Sequence, residues 1–562
     1  MQQICKNPWC KQSFEVTRDD LEFYEKVSPV FAGKKELIPP PLLCPACRDQ
    51  LRYAFRNERH LYRRPCALCG QLTMSIYAPE NPYQILCHSC FTGDRWSADA
   101  YAKDFDFSRP FFPQFLALKL QVLRQGVDVL NNENSDYSNI SIENKDCYLV
   151  FATVRSERCF YTRKIIHSTD SMDCIYGEKL QLSYECLDCN DSYHLLFSER
   201  SNNCSFSAFL FDCSGAQSCF MCSNLRNKQY CFHNEQLTKE EYEARLPDLR
   251  QSSVIEQCKE EFRALKIKSI HRESQNVQAE HCRGNYLKNC KNCTECFDLH
   301  NSEDCKYSSD AVTGAKATMD CSCVTMECEW DLECSVCSNS TSLSSFCFGC
   351  RDANSNLLYC DAVFSSKYLF GCTGLRHKQY CILNRQYTKA EYEKLVPRII
   401  QSMRVSGEWG QFFPVNHSTF DYNESLSFEY YPRSQEQALS EGFRWRDIPD
   451  EIPKVSKVIP AAKLPDSIDD IPDDILNWAI ECEATKRPFK IVRQELDFYR
   501  TMRLPVPHFH PDERHRRRMA LRNPRKLRKR PCMKCGKEME TTYSPERPET
   551  VYCEVCYLKE VY

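Results

Sequence analysis

The chain has 562 residues, of which 27% are charged and 42% hydrophobic, with a formal net charge of −3. This length is too great for a single hydrophobic core, so we expect two to four domains, and the composition excludes a disordered chain. The small net charge excludes a global attraction to nucleic acid, so that any such contact must be local. The N-terminus lacks a signal region and no stretch is long enough to span a bilayer, so we expect a cytoplasmic protein with no membrane partner.

The 39 cysteines need a role other than disulfide formation. Reducing cytosol disfavours disulfides, and an odd number of cysteines cannot pair completely. Two uses remain, as zinc ligands and as small buried apolar side chains.

The N-terminal region predicts a first zinc site. Cys5 and Cys10 face Cys44 and Cys47 across a segment that begins with a near-capping box at Thr17 and predicts a short amphipathic helix. The spacing is looser than in a zinc ribbon, and reduced thiols in a small core are the alternative.

Two zinc ribbons are predicted, one near each end of the chain. Each has two CxxC pairs separated by seventeen residues, and the two copies match at a constant offset, as Cys66 and Cys532 show. Four thiolates at this spacing suit tetrahedral Zn²⁺ and leave no open position for a catalytic water. The predicted ligands of all three sites, for about three zinc ions per chain, are Cys5, Cys10, Cys44, Cys47, Cys66, Cys69, Cys87, Cys90, Cys532, Cys535, Cys553 and Cys556.

Between residues 137 and 400 the cysteines recur in a β-type repeat. Those at 159, 174, 189, 204 and 219 are fifteen residues apart, and polar turns alternate with short extended runs. This pattern predicts stacked β rungs with inward cysteines. Cys290, Cys293 and Cys296 resemble the start of an iron–sulfur run, but the fourth position is His300, and packing in the repeat is favoured. Whether the cysteines of the array bind further metal is left as an alternative.

The array is duplicated. The text Leu-Arg-Asn-Lys-Gln-Tyr-Cys that ends at Cys231 returns with one change ending at Cys381, and each copy precedes a helix with a capping-box signature, at Thr238 and Thr388. Each lobe therefore reads as β rungs ended by a capping helix. A further single helix is expected over 111–129.

The C-terminal module echoes the first zinc site with its ligands changed. At the ribbon offset, Cys44 and Cys47 become His510 and Glu513. A site formed by Cys482, His508 and His510 is one alternative, and a metal-free remnant held by packing is favoured.

Arginine is concentrated in equivalent places of both modules. Residues 48–64 contain six arginines and two acids, whereas 514–530 contain ten Lys or Arg and no acid. Basic segments beside zinc knuckles are typical of phosphate binding, and the alternatives are a solvated face or a face docked on the acidic segment that contains Asp466 and Asp473. The predicted nucleic-acid-binding residues are Arg48, Arg52, Arg56, Arg59, Arg514, Arg516, Arg517, Arg518, Arg522, Arg525, Lys526, Arg528, Lys529 and Arg530.

Several segments together resemble a family of cysteine-rich zinc-ribbon proteins, without an established activity, of candidate-phylum (Patescibacteria-type) bacteria. The matching text is Asp19-Asp-Leu-Glu-Phe-Tyr24, Leu43-Cys-Pro-Ala-Cys-Arg48, Asp104-Phe-Asp-Phe-Ser-Arg-Pro110, both Lys-Gln-Tyr-Cys repeats and Leu521-Arg-Asn-Pro-Arg-Lys-Leu527. The resemblance covers essentially the whole chain. Such proteins often carry the label CaiB/BaiF, the name of a CoA-transferase family, but no residue pattern in this chain supports that chemistry.

The predicted fold is multidomain, α+β to mainly β, with zinc-ribbon modules flanking two solenoid-like lobes. Five regions are expected, in order a double-zinc module, two β-repeat lobes, an acidic Pro-rich linker and a zinc-ribbon module, at 1–108, 109–262, 263–405, 406–480 and 481–562. No phosphate loop, dinucleotide fingerprint or nucleophile elbow occurs, and no enzyme activity is predicted. The predicted function is a zinc-stabilised scaffold that contacts RNA or a ribonucleoprotein. A protein–protein scaffold and a thiol redox or metal-storage protein are the alternatives, and the oligomeric state is not predicted.

Overall fold

The computed structural model describes residues 1–311, 314–324, 326–447 and 453–562. They form two compact units, and neither is a continuous stretch of chain. Unit 1 consists of Met1–Val127, Ser274–Arg446 and Arg525–Leu527, whereas unit 2 consists of Asp128–Glu273, Asp447–Pro524 and Arg528–Tyr562. The N-terminal module therefore belongs with the second β lobe, and the C-terminal module with the first.

Each lobe is a β-solenoid of short parallel strands, as the repeat predicts. The first contains Val129–Leu130, Ser138–Ile142, Val150–Val154, Ser171–Met172, Ser183–Tyr184, Tyr193–Leu196, Ser205–Phe211, Phe220–Ser223, Cys231–Phe232 and the antiparallel Glu235–Gln236. The second contains Val277–Glu280, Arg283–Lys291, Thr294–His300, Ser309–Ala311, Ala315–Lys316, Cys328–Glu329, Ser355–Leu358, Lys367–Phe370, Gln379–Ile382 and the antiparallel Arg385–Gln386.

The solenoid turn is shorter than the cysteine spacing suggests. Parallel bridges join residues twelve apart in the first lobe, such as Glu157 with Thr169, and thirteen apart in the middle of the second, such as Leu332 with Ser345. The fifteen-residue turn predicted from the cysteines is therefore wrong. Every third residue points inward, so cysteines fifteen residues apart all face the interior. Because one turn takes twelve residues, successive cysteines of this series lie on different sides of the solenoid.

The three-residue period has a backbone cause. Arg155, Arg158, Tyr161 and Lys164 have φ between 49° and 55°, so the chain turns a corner at every third residue. The residue after each corner points inward and is small or compact. Left-handed conformations cost L-residues roughly 1–2 kcal/mol each. The parallel hydrogen-bond ladders offset that cost.

Serine and cysteine suit the interior because each satisfies its own polar group. The Sγ of Cys204 donates to the carbonyl of Asn202, 3.3 Å away, and its backbone N–H donates to Ser192 Oγ in the previous turn, also at 3.3 Å. Both side chains are buried. The repeat cysteines thus pack as small hydrogen-bonded side chains.

Twelve α-helices are formed by the described residues. They are α1 (Arg18–Val27), α2 (Pro45–Tyr53), α3 (His88–Thr92), α4 (Phe111–Lys119), α5 (Lys239–Arg245), α6 (Ser252–Lys268), α7 (Lys389–Ser406), α8 (Leu426–Tyr430), α9 (Gln435–Ser440), α10 (Arg493–Met502), α11 (Pro511–Met519) and α12 (Glu554–Val561). Within this part of the chain, no helix combines the length and the apolar character needed to cross a membrane.

The predicted helix caps are present. Thr17 forms a capping box with Asp20 at the start of α1, and Thr238 and Thr388 form capping boxes with Glu241 and Glu391. The helix expected over 111–129 is too long, since α4 ends at Lys119 and strands follow at Arg124–Gln125 and Val129–Leu130. These strands extend a ribbon and begin the first solenoid, so tertiary pairing overrides the helical pattern.

Each predicted ribbon is a hairpin with an added parallel strand. The first pairs Tyr62–Pro65 with Leu72–Ser75, and Ile85–Leu86 with Arg124–Gln125. The second pairs Arg528–Pro531 with Glu538–Thr541, and Thr550–Tyr552 with Ile270–Arg272. In unit 2 this added strand comes from the segment that follows the first lobe, and it ties the ribbon to that lobe.

The remaining strands belong to the modules. They are Gln2–Ile4 with Ser13–Glu15, Val30–Phe31 with Lys34–Lys35, and Lys457–Pro460 with Trp478–Glu481 and Pro488–Phe489. The acidic linker lies partly outside the described residues, which omit 448–452. Where the predicted linker is described, it contains α8, α9, the strand Lys457–Pro460 and five short 3-10 helices, Val415–His417, Tyr422–Glu424, Ala461–Lys463, Ile468–Asp470 and Asp473–Asn477.

Candidate metal centres and arginine clamps

The four cysteines of the first predicted site come together. Cys5 follows the first strand, Cys10 lies in the hairpin turn, Cys44 is the N-cap of α2 and Cys47 lies in its first turn. Their sulfur atoms are all within 4.8 Å of one another, and Cys10 and Cys44 Sγ are 3.7 Å apart. Sulfur atoms bound tetrahedrally at about 2.3 Å from one ion lie roughly 3.8 Å apart, so the four residues fit a metal ion.

Both ribbons also form four-cysteine groups. Their ligands are Cys66, Cys69, Cys87 and Cys90 in one, and Cys532, Cys535, Cys553 and Cys556 in the other, again within 4.8 Å of one another. In each ribbon the second and third cysteines have sulfur atoms 3.8 Å apart. The three predicted four-cysteine sites are therefore confirmed as groups that could hold a metal.

The first cysteine of each ribbon favours the thiolate form that metal binding needs. Burial raises the pKa of Cys66, but backbone N–H groups of Cys87, Cys69 and Leu68 outweigh burial and lower this pKa to about 6. The same balance lowers the pKa of Cys532 to about 6. Backbone N–H groups directed at sulfur stabilise its negative charge.

The residues of the described chain do not gather a fourth four-ligand site around Cys482, His508 and His510. Cys482 is buried and accepts a backbone N–H from Thr485 at 3.5 Å, as expected of a former zinc knuckle. His510 Nδ1 instead accepts the N–H of Asp512 at 3.1 Å and caps α11.

The predicted basic segment of unit 1 turns inward. Arg48 and Arg52 lie on α2 and their side chains are 4% and 0% exposed. Arg48 Nε is 2.9 Å from Asp320 Oδ1, and Arg52 Nη1 is 3.6 Å from the same oxygen. Asp320 is a corner residue of the second lobe, so these two arginines clamp the N-terminal module to that lobe.

Unit 2 contains an equivalent clamp. Arg514 and Arg518 of α11 correspond to Arg48 and Arg52 at the ribbon offset of 466 residues. Arg514 Nη1 is 2.5 Å from Asp173 Oδ2, Arg518 Nη2 is 2.6 Å from Asp173 Oδ1, and all three side chains are buried. Asp173 is a corner residue of the first lobe. Both modules therefore dock on a lobe through two arginines that bracket one aspartate.

The other residues predicted to bind nucleic acid divide between the interior and the surface. Arg56 is buried against Glu58, Arg522 contacts Asp188, Arg525 contacts Asp298 and Asp310, and Arg530 bonds to backbone carbonyls. Arg59 and Arg528 are half-buried. Arg516, Arg517, Lys526 and Lys529 are exposed. Buried guanidinium groups in contact with carboxylates are not placed to reach phosphate, and the exposed ones are the part of the prediction that this geometry leaves open.

The partners of the basic helix differ from the expected ones. Asp473 of the acidic linker contacts Arg493 and Arg500 on α10, not the arginines of α11. The true partners are corner aspartates of the lobes, hundreds of residues away in sequence. Sequence reasoning missed Asp173 and Asp320 because, in the sequence, an acid at a solenoid corner looks like any other polar turn residue. The one sequence signal that relates the two aspartates is that both the arginine segments and the lobes are duplicated.

A cleft of about 570 Å³ lies in unit 2 beside α6. Its walls include the apolar side chains of Tyr184, Phe197 and Phe509. The charges at its surface are paired, as Lys259 lies 3.3 Å from Glu185.

Comparisons with family models and with curated proteins find no match for this chain. Among solved structures, it is similar to a putative acetyltransferase from Desulfovibrio desulfuricans G20, at 10% identity and a TM-score of 0.09. That match covers 44% of this chain and 63% of the other, so it spans less than two thirds of that protein. A superposition this poor says nothing about fold or activity.

Proposed function

We propose that the protein is a zinc-stabilised scaffold whose solenoid surface binds a partner protein. Three four-cysteine groups favour Zn²⁺, because closed thiolate tetrads are typical of structural zinc. The arginine clamps turn four of the arginines predicted to bind nucleic acid towards carboxylates of the lobes. The proposed binding surface lies on a side of the solenoid that no module covers.

The observation that carries the proposal is an uncharged strip on the first lobe. Five successive turns place Gln181, Tyr193, Ser205, Gln217 and Gln229 in one column. The column is aromatic and amide-rich and contains no ionisable acid or base. Interface centres are depleted in charge and enriched in tyrosine and phenylalanine.

Three rings form an exposed cluster on this strip. Tyr193 is 40% exposed and Phe206 is 52% exposed, and their centroids are 5.2 Å apart. His194 stacks on Phe206 at 5.7 Å, and burial lowers the pKa of His194, so that it is neutral near pH 7. An apolar ring cluster beside a column that carries no charge favours a protein partner over a polyanion.

Site-specific photo-crosslinking in cells tests this proposal. A photoreactive residue at position 206 should give protein adducts that survive nuclease treatment. The matched control is Leu130, an exposed apolar residue of the same lobe. The adducts should disappear when Tyr193 is replaced by Ser. Equal adducts at both positions, or adducts that nuclease removes, would contradict the proposal.

Nucleic-acid contact is the second candidate. Arg516 and Arg517 stand on the outer face of α11, with side chains 68% and 44% exposed, although both contact Glu513. Phosphate contacts release counterions, so RNA affinity should fall steeply with salt and with Arg516→Ala and Arg517→Ala together. An affinity that neither salt nor these changes alter would remove this candidate.

The thiol redox alternative receives no support from the repeat cysteines. Burial raises the pKa of Cys204 and of Cys222 to about 12, and both thiols donate to carbonyl groups. A thiol that is buried and protonated is a poor nucleophile.

A further inference from the structure

One helix in unit 1 joins a metal group to an arginine clamp. Cys44 is the N-cap of α2 and Cys47 lies in its first turn, and the next residue, Arg48, contacts Asp320. Arg52 follows one turn later and also reaches Asp320. The position of the helix start therefore sets where both guanidinium groups lie.

Two hydrogen bonds tie the start of this helix to sulfur atoms of the metal group. The N–H of Cys44 donates to Cys5 Sγ at 3.2 Å, and Asn7 Nδ2 donates to Cys47 Sγ at 3.2 Å. Both bonds have a ligand sulfur as acceptor. They hold the helix start while the sulfur atoms keep the positions that a bound ion fixes, whereas later residues of α2 have other partners, as Asp49 accepts from Tyr431 Oη at 2.7 Å.

The equivalent helix in unit 2 is held without a metal. His510 caps α11 through its own ring nitrogen, and Arg487 lies 3.0 Å from Asp512 in the first turn. Glu513, which replaces Cys47, accepts bonds from Arg516 at 2.7 Å and Arg517 at 2.8 Å. Ion pairs and a side-chain cap thus stand where unit 1 has thiolates.

We propose that the first four-cysteine group is a metal-dependent latch that couples ion binding to the docking of the N-terminal module on the second lobe. The proposal rests on the zinc occupancy proposed above. With the ion bound, α2 is held so that Arg48 and Arg52 reach Asp320. Without it, the helix start is released and the clamp opens. The C-terminal clamp, whose helix is tied to a neighbouring segment by the pair of Arg487 with Asp512, stays closed under the same conditions.

The coupling can be measured either as an effect of the ion on docking or as an effect of docking on ion affinity. If the ion favours docking, then docking must favour the ion by the same factor. A change that weakens the clamp, but touches no ligand, should therefore weaken metal binding at the first group alone. Asp320 contacts no cysteine of the group and is the residue to change.

Competition of the full-length protein with a chromophoric zinc chelator tests the latch. Asp320→Asn should lower the affinity for one of the three zinc ions by tenfold or more and leave the affinities for the other two unchanged. Asp173→Asn removes the equivalent acid in unit 2 and is the matched control. We expect it to lower none of the three zinc affinities. Three unchanged affinities in Asp320→Asn would overturn the latch, whereas a protein that binds no zinc at all would overturn the proposed function.

Amide hydrogen exchange gives a second readout that does not depend on metal affinity. Cys44→Ser with Cys47→Ser should speed exchange at least tenfold over α2, including the turn that carries Arg52. Exchange over α11 should stay as in the parent protein. Unchanged protection of α2 in this variant, or an equal loss in α11, would show that the helix does not need the ion for docking.

Discussion

Arg48 lies 2.9 Å from Asp320, and both side chains are fully removed from water or nearly so. The same relationship recurs in unit 2 between Arg514 and Asp173. The two aspartates lie at corners of different solenoid lobes, and the two arginines lie on helices that follow equivalent cysteine or histidine caps. The duplication therefore covers not only modules and lobes but also the manner in which a module docks on a lobe.

Loss of one partner from a buried clamp should be severe. Asp320→Asn removes the carboxylate that Arg48 contacts in the interior and leaves Arg52 with Asp49 alone, and we expect a loss of about 3–5 kcal/mol in the stability of unit 1. Urea unfolding followed by hydrogen exchange in unit 1 measures it. The control is Glu22→Gln, which breaks the exposed pair with Arg18 and should cost no more than about 0.5 kcal/mol. Similar losses for both changes would show that the buried pair is not a clamp.

The corner positions of the solenoid should tolerate glycine and reject β-branched residues. Lys179 is exposed and has a φ of 48°. Lys179→Val should destabilise the first lobe by about 1–2 kcal/mol, because the branched side chain clashes in the left-handed region. Lys179→Gly should be near neutral, since glycine adopts this conformation freely. Thermal unfolding of the two variants compares them, and equal midpoints would contradict the corner assignment.

The sequence predicted the parts of the molecule that are local in the chain. Cys66 and Cys69 sit on one turn, and Thr388 and Glu391 on another, so short spacing alone identified the metal groups and the caps. The turn length was missed because inward residues occur at every third position, and cysteines at any multiple of three fit that rule. The contacts of Arg48 and Arg514 were missed because their partners are distant in sequence and carry no motif.

Acid should weaken the contact between the C-terminal ribbon and the segment after the first lobe. His271 lies between the carbonyl of Lys266 and Tyr543 Oη, and burial, aided by the charge of Arg200, lowers its pKa from 6.5 to about 4. The unfolded chain therefore binds a proton before the folded one does. The stabilisation is complete above pH 6.5 and is lost as the pH falls towards 4, by about 2–3 kcal/mol in total.

The pH dependence of unit 2 unfolding between pH 7 and 4 measures this contribution. His271→Gln keeps a side chain that can bond to Tyr543 and removes the titrating ring, so its stability should fall less steeply over that range. An identical slope in the two proteins would assign the acid sensitivity to other groups.

Metal content is expected to be three zinc ions per chain. Cys66→Ser with Cys69→Ser should lower it to two, because a closed tetrahedral site needs all four thiolates. Native mass spectrometry gives the count on the intact protein. Cys204→Ser with Cys222→Ser, at inward positions of the first lobe, is the matched control and should leave three. A loss of metal in the control would place an ion inside the solenoid.

The most direct test of the account measures stability and RNA binding on one protein, Arg514→Met with Arg518→Met. If these arginines clamp the C-terminal module to the first lobe, unit 2 should lose about 3–5 kcal/mol of stability. The retention of RNA on a filter at low salt should stay that of the parent protein. A variant that keeps its full stability and loses its RNA binding would contradict the account.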